Sequence, residues 1–235
     1  VASMALGIVW SWLFSKVAPA DAATDASIRQ CGYRFNSYIG FAIVLALYGK
    51  TGFALFALLM GVWVPISNAV AVADLAAATK KHGQGFLSIL VSILKNPLIL
   101  ATLAGLVFNV FGWSMPKMVD SIFSSMGAAS LALALMAIGA GLKVDDFHAH
   151  RMLMALATMQ RLIIVPAGSV LIGRYFGLEA IEIGALLCFT ALPTANSCYI
   201  LAVRMGGNGP AVADLTTLQT LCSLLTIPIW MWIVS

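Results

Sequence analysis

The chain has 235 residues, 61% of them hydrophobic and 9% charged, with a mean hydropathy of +0.98 and a formal net charge of +4. A soluble domain carries about 25% charged residues because its surface faces water, so this composition excludes a soluble enzyme and sets most of the outward surface against lipid. The positive balance does not point to nucleic acid, because the basic residues sit in short breaks between apolar runs, where they control membrane topology.

The apolar runs are each near the ~20 residues needed to cross about 30 Å of hydrocarbon. They predict eight membrane-spanning segments, at roughly 1–19, 27–48, 51–75, 92–112, 120–142, 152–173, 179–203 and 211–234. Lipid cannot satisfy backbone N–H and C=O groups, so these runs must be helices and the fold class is all-α membrane protein. The first run begins at Val1, and its first Lys is Lys16, after the apolar stretch. A signal peptide has the opposite order. The run therefore reads as a true helix whose upstream neighbours are missing, and the sequence is expected to be a fragment.

Alternate breaks collect unequal charge. Lys16, Arg29, Arg34, Lys80, Lys81, Lys95, Lys143, Arg151 and Arg204 fall on one side, Lys50, Lys117 and Arg174 on the other, and Arg161 lies inside a span. This positive-inside bias predicts a C-terminus outside the cytoplasm.

Two spans are interrupted. The second contains the polar patch Arg34-Phe35-Asn36-Ser37-Tyr38-Ile39-Gly40-Phe41, with a break expected near Gly40. The seventh contains Ala191-Leu192-Pro193-Thr194-Ala195-Asn196-Ser197-Cys198-Tyr199, where Pro193 removes a backbone donor and must break or kink the helix. Paired interruptions in corresponding positions of two halves point to a transporter's substrate site. No Asp or Glu falls in either interruption, so an organic anion suits the site better than a metal ion.

Other polar residues read more plainly. Asn68, with Pro65 and Ser67, sits in the middle of the third span and reads as packing between helices. Asp214 is expected to open the last helix, where a carboxylate suits the dipole. His148 and His150 lack a third ligand and read as a solvated loop. Cys31, Cys188, Cys198 and Cys222 have no C-x-x-C pair or metal spacing and read as buried free thiols. No cofactor and no metal site is expected.

The two interruptions, with Leu47-Tyr48-Gly49, Val64-Pro65-Ile66-Ser67-Asn68 and Lys95-Asn96-Pro97-Leu98-Ile99, resemble the auxin efflux carrier family of membrane transporters over essentially the whole chain. The resemblance implies a ten-helix fold of two inverted five-helix repeats, related to bile-acid symporters and sodium/proton antiporters. Its fourth and ninth helices are unwound and cross near the membrane centre. The eight runs are then the family's third to tenth helices. Residues 1–80 form the remainder of the first repeat and 81–235 the second. One departure stands out: where the family often has a proline soon after the first crossover, this chain has Phe41-Ala42-Ile43.

On that template the substrate site is expected at Asn36, Ser37, Tyr38, Gly40, Pro193, Thr194, Asn196 and Ser197. Arg161, near the middle of the sixth span, adds a fixed positive charge or a structural bond to freed carbonyls. The expected function is secondary transport of a small organic anion, auxin-like or a dicarboxylate, by alternating access in a lipid bilayer, the bacterial inner membrane. Coupling to protons or sodium, as in the symporters and antiporters, stays open, as does a homodimer. A channel and a membrane-embedded enzyme are the competing classes. The enzyme would need an intramembrane nucleophile–base pair or a His-rich site, and the sequence offers neither.

Overall fold

Freed of any need to face water, the described residues form helices joined by short breaks. The computed structural model describes residues 2–79, 97–140 and 150–234. The basic break at Lys80-Lys81-His82-Gly83, Lys95 with Asn96, and the stretch from Lys143 through His148 lie outside the described residues.

Helix α1 (Ala2–Val17) is followed by α2 (Ala22–Arg29), a 3-10 turn (Gln30–Gly32) and the long α3 (Ser37–Ala78). Next come α4 (Pro97–Val110) and α5 (Lys117–Ala140). The last part holds α6 (Arg151–Met159), a π-helical turn (Gln160–Ile164), α7 (Val165–Tyr175), α8 (Ala180–Thr190), α9 (Ser197–Met205) and α10 (Gly209–Val234). There is no strand among the described residues.

Local chemistry sets the element ends. Asp21 caps α2, its carboxylate accepting from Thr24 N at 3.1 Å. Hydrogen bonding from Thr24 holds that carboxyl below its ordinary range. Glu179 and Glu182 form a capping box at the start of α8. Helix α10 starts at Gly209 with Asn208 Oδ1 accepting from Ala211 N at 3.0 Å, which places Asp214 one turn further in than expected.

The expected boundary between the second and third spans is a kink, not a loop. Gly49 takes φ 58° and ψ −150° inside α3, a region essentially closed to residues with a Cβ. The chain turns there while the helical run continues on both sides.

Three runs are long and apolar enough to cross a membrane among the described residues: Ala22–Ala78, which includes the first break, Arg151–Tyr175 and Gly209–Val234. Their outer faces carry large apolar side chains. On α10, Leu224, Leu225 and Trp232 are 68%, 71% and 81% exposed, an arrangement suited to lipid and costly in water. The interior is built where α3 packs on α8, α8 on α7, and α7 on α1. Phe35, Phe56 and Phe189 meet edge to face there, with ring centroids 4.7–6.3 Å apart.

Gly40 lies within this interior and not at a break. It sits one turn inside α3, and a Cβ there would come within 2.3 Å of the Phe56 ring and 2.7 Å of Leu192. Its role is close approach between α3 and the second interruption. Gly40→Ala is therefore expected to destabilise by about 1–3 kcal/mol through overpacking. Gly105→Ala, where a Cβ meets nothing within 4 Å, is expected to be neutral or to stabilise by up to about 1 kcal/mol. Unfolding of both variants in detergent micelles checks the contrast, and equal effects would contradict the close-approach role.

Candidate functional site: the junction of two broken helices

The first interruption runs from residue 33 to 36, between the 3-10 turn and α3. The second runs from 191 to 196, between α8 and α9. The first thus overlaps the start of the predicted polar patch and ends four residues before Gly40. Asn36 explains the position: its side-chain oxygen accepts from Tyr38 N at 3.1 Å and Ile39 N at 3.4 Å, which starts α3 at Ser37. Both helices that follow the interruptions begin with serine after an asparagine, Asn36-Ser37 and Asn196-Ser197.

The two interruptions meet. Asn36 N donates to Pro193 O at 2.8 Å. Several carbonyls in and beside the breaks are taken up by side chains from surrounding elements. Trp63 Nε1 donates to Tyr33 O at 2.9 Å. The Thr194 hydroxyl donates to Cys31 O at 2.7 Å. Gln160 Nε2 lies 3.3 Å from Gly32 O, and also bonds Gly7 O and Ser11 Oγ on α1 at 2.5 and 2.8 Å. Gln219 Oε1 accepts from Thr194 N at 3.1 Å. Each pairing avoids the cost of a buried, unsatisfied polar group, about 1–3 kcal/mol.

Arg161 belongs to this set. Its side chain is fully buried, and Nε donates to Leu192 O at 2.7 Å. Nη1 lies 3.3 Å from Met4 Sδ, and the guanidinium carbon is 5.8 Å from the centre of the Phe35 ring. Nη2 is buried without a partner. The side chain points into the protein toward the junction, as its depth in the span requires.

The π turn aims it. Val165 N bonds Gln160 O, five residues back, and Pro166 follows with no N–H to give. The carbonyl of Leu162, one turn before Pro166, instead accepts from Trp230 Nε1 at 2.8 Å.

Arg34 is the second buried cation, 8% exposed. Nη1 donates to Gln30 Oε1 at 2.7 Å and Nη2 to Ser197 Oγ at 3.0 Å, while Gln30 Nε2 donates to Cys198 O at 3.1 Å. Arg29 differs in kind: it makes a bidentate pair with Asp74 at 2.8 and 2.7 Å and stacks 4.4 Å from the centre of the Trp12 ring. Neither Arg29 nor Arg34 is therefore a loop charge. Removing both from the sequence-based topology tally leaves seven basic residues against three.

Of the expected site residues, Asn36, Pro193 and Thr194 lie buried at the junction, Gly40 behind it, and Arg161 against it. Ser37 is half-buried, and Tyr38 is 48% exposed. Asn196 and Ser197 are exposed at the start of α9, and Asn196 makes no side-chain cap bond. Gln30, Trp63, Gln160 and Gln219 are junction residues that the sequence reading did not single out for this place. A glutamine inside an apolar run was the available signal, and it names no partner.

Comparison with known proteins places the chain in a family. Residues 86–231 match the family described as Membrane transport protein, which is well over half of the chain. The chain belongs to this family of integral membrane transporters. Among its relatives is the Uncharacterized transporter YfdV of Escherichia coli K12, 26% identical over 234 residues, covering 95% of this chain and 73% of the relative. Another is the Uncharacterized transporter MJ1031 of Methanocaldococcus jannaschii, 22% identical over 204 residues, covering 84% and 64%. The resemblance read from the two interruptions therefore holds at the level of the family.

The geometry separates structural from exposed polar residues at the junction. Asn36→Ala should cost about 0.5–2 kcal/mol through loss of the cap, and Thr194→Val about 1–3 kcal/mol through loss of its buried bonds. Asn196→Ala should stay within about 0.5 kcal/mol. Denaturant unfolding of the three variants measures this order. An Asn196 variant as unstable as the Asn36 variant would contradict it.

Proposed function

We propose that the protein is a secondary transporter that moves a small organic anion, auxin-like or a dicarboxylate, by alternating access. One observation carries this reading: two buried guanidinium groups, Arg34 and Arg161, flank the junction, and among the described residues neither is paired with a carboxylate. A charge at membrane depth costs about 2.5–3.5 kcal/mol on insertion scales. Arg29 offsets that cost with Asp74, whereas Arg34 and Arg161 keep theirs with neutral partners. A transported anion is the natural counter-charge. The N-terminus of α9, with exposed Asn196 and Ser197 and Arg34 bonded to Ser197 Oγ, adds N–H donors and a partial positive charge on the same side.

In this reading the eight runs are the third to tenth helices of a ten-helix, two-repeat fold. Residues 1–80 belong to the first repeat and 81–235 to the second, and the interruptions are the crossover. The repeated Asn-Ser starts of α3 and α9 support that equivalence. The membrane is the bacterial inner membrane, with the C-terminus outside, in keeping with the charge bias. Asn36 is committed to its cap, so exposed Asn196, beside Ser197 with its bound Arg34, is the neutral group placed to meet a substrate.

The test is uptake of labelled small carboxylates by the full-length protein in proteoliposomes, with saturation and counterflow as the marks of a carrier. Arg161→Gln is expected to reduce uptake at least about tenfold, the scale of a lost charge-assisted bond of ~1.4 kcal/mol or more. Arg161→Lys should retain part of it, because Lys keeps the charge without the planar fork. Asn196→Ala should impair uptake more than Asn68→Ala, with both inserted normally. Unchanged uptake in the Gln variant would leave Arg161 a purely structural role. Linear, non-saturating flux without counterflow would favour a channel.

A further inference from the structure

Helix α1 turns hydroxyls inward. Its buried residues are Ser3, Met4, Gly7, Ser11 and Ser15, while Leu6, Val9, Trp12 and Leu13 are exposed along its outer face. The two inner serines bond within the helix: Ser11 Oγ donates to Gly7 O at 2.8 Å and Ser15 Oγ to Ser11 O at 3.2 Å. A hydroxyl has one proton to give, so the Ser15 oxygen is left as an acceptor.

Gln160 meets this face from the π turn. It is 1% exposed, and its three bonds, to Gly7 O, Ser11 Oγ and Gly32 O, all leave from Nε2. Among the described residues nothing donates to Oε1. A buried amide oxygen without a donor is unfavourable, and such atoms in native proteins are ordinarily met by protein or by an ordered water.

Gln160, Ser11 and Ser15 line one small cleft between α1, α2 and α6, together with Arg29. Arg29 commits Nε and Nη2 to Asp74, which leaves its Nη1 hydrogens unused. Ile28 and Leu153 supply apolar wall. The free space is that of about one water molecule. The lining chemistry selects among ligands of that size. Two oxygen acceptors disfavour a halide, and the guanidinium disfavours a metal cation. A water can donate to both oxygens and accept from Arg29.

We propose that this cleft is a binding site for a single water molecule, which donates to Gln160 Oε1 and Ser15 Oγ and accepts from Arg29 Nη1. The water gives Gln160 its missing donor. It also fixes the amide with Nε2 toward Gly32 O, the bond by which the π turn holds the first interruption. Through Arg29 it connects the ion pair with Asp74, which ties α2 to α3, to the back of the junction. The site is part of the framework of the junction and does not depend on which solute the protein carries.

The full chain in lipid nanodiscs is exposed to brief X-ray pulses, which split water into hydroxyl radicals where the water lies, and oxidation is mapped by peptide mass spectrometry. Ile28 and Leu153 are buried from bulk solvent, at 1% and 4% exposure, so radicals reach them from water inside the cleft. Both should be oxidised several-fold faster than Leu187 and Leu215, which are fully buried and line no part of it. Ser15→Val, which fills the cleft with methyl groups, should bring both rates down to that background, whereas Ser15→Ala should leave them raised. Background rates in the unaltered protein, or raised rates that Ser15→Val does not lower, would overturn the proposal. An electron-microscopy map of the unaltered protein gives a reading that needs no variant. It should show a density peak within ~3 Å of both Gln160 Oε1 and Ser15 Oγ, and a map that resolves other buried waters but none there overturns the site.

Discussion

Everything in this protein turns on the backbone that two broken helices leave unpaired. In an apolar medium a carbonyl without a partner has no water to fall back on, and irregular backbone survives only where protein or a wet cavity satisfies it. The junction meets this requirement with long-range side chains. Trp63, Thr194, Gln160 and Arg161 each take one carbonyl, and the interruptions pair directly through Asn36 N and Pro193 O. A break placed elsewhere in either span would lack this set of donors. The position of the junction is therefore dictated by what surrounds it as much as by the proline that opens it.

The same requirement shapes the electrostatics. Donors that reach deep carbonyls can be neutral, as Gln160 and Trp63 are, and a neutral donor carries no desolvation penalty of an ion. Arg161 and Arg34 are costlier choices. Arg161 uses one nitrogen on Leu192 O and leaves Nη2 buried without a partner, so carbonyl satisfaction alone does not account for a guanidinium there. A glutamine in the manner of Gln160 would serve the carbonyl at lower cost. The surplus charge is the feature on which the proposal of anion transport rests.

Much of this was legible in the sequence, and the rest fails for identifiable reasons. Pro193 announces its break because a missing N–H and a ring clash act locally. The first interruption has no proline, so only its polar patch is readable, and the sequence points to Gly40 as the break. A glycine in an apolar run has two meanings, irregular backbone or close approach, and sequence does not choose between them. The Phe56 ring, packed where a Cβ would stand, chooses the second. Arg29 and Arg34 looked like topology charges because Asp74 and Ser197, their partners, lie 45 and 163 residues away. Gln160 and Gln219 were invisible for the same reason: a lone amide in a span gives no direction, and Gln160 reaches α1 across 153 residues.

The π turn shows how such distant pairings are built into one helix. A regular helix from Arg151 to Tyr175 would meet Pro166 with a clash and an orphaned carbonyl at Leu162. In the structure the chain winds by one extra residue just before Pro166, and Trp230 supplies the N–H that the Leu162 carbonyl lacks. The same winding changes the phase between α6 and α7. Gln160 thus reaches α1 and the first interruption while its neighbour Arg161 reaches the second. Two adjacent side chains consequently hold both broken segments from a single turn of a third helix. The π turn thus adds two bonds from a third helix to those by which the interruptions hold each other, Asn36 N to Pro193 O and Thr194 Oγ1 to Cys31 O.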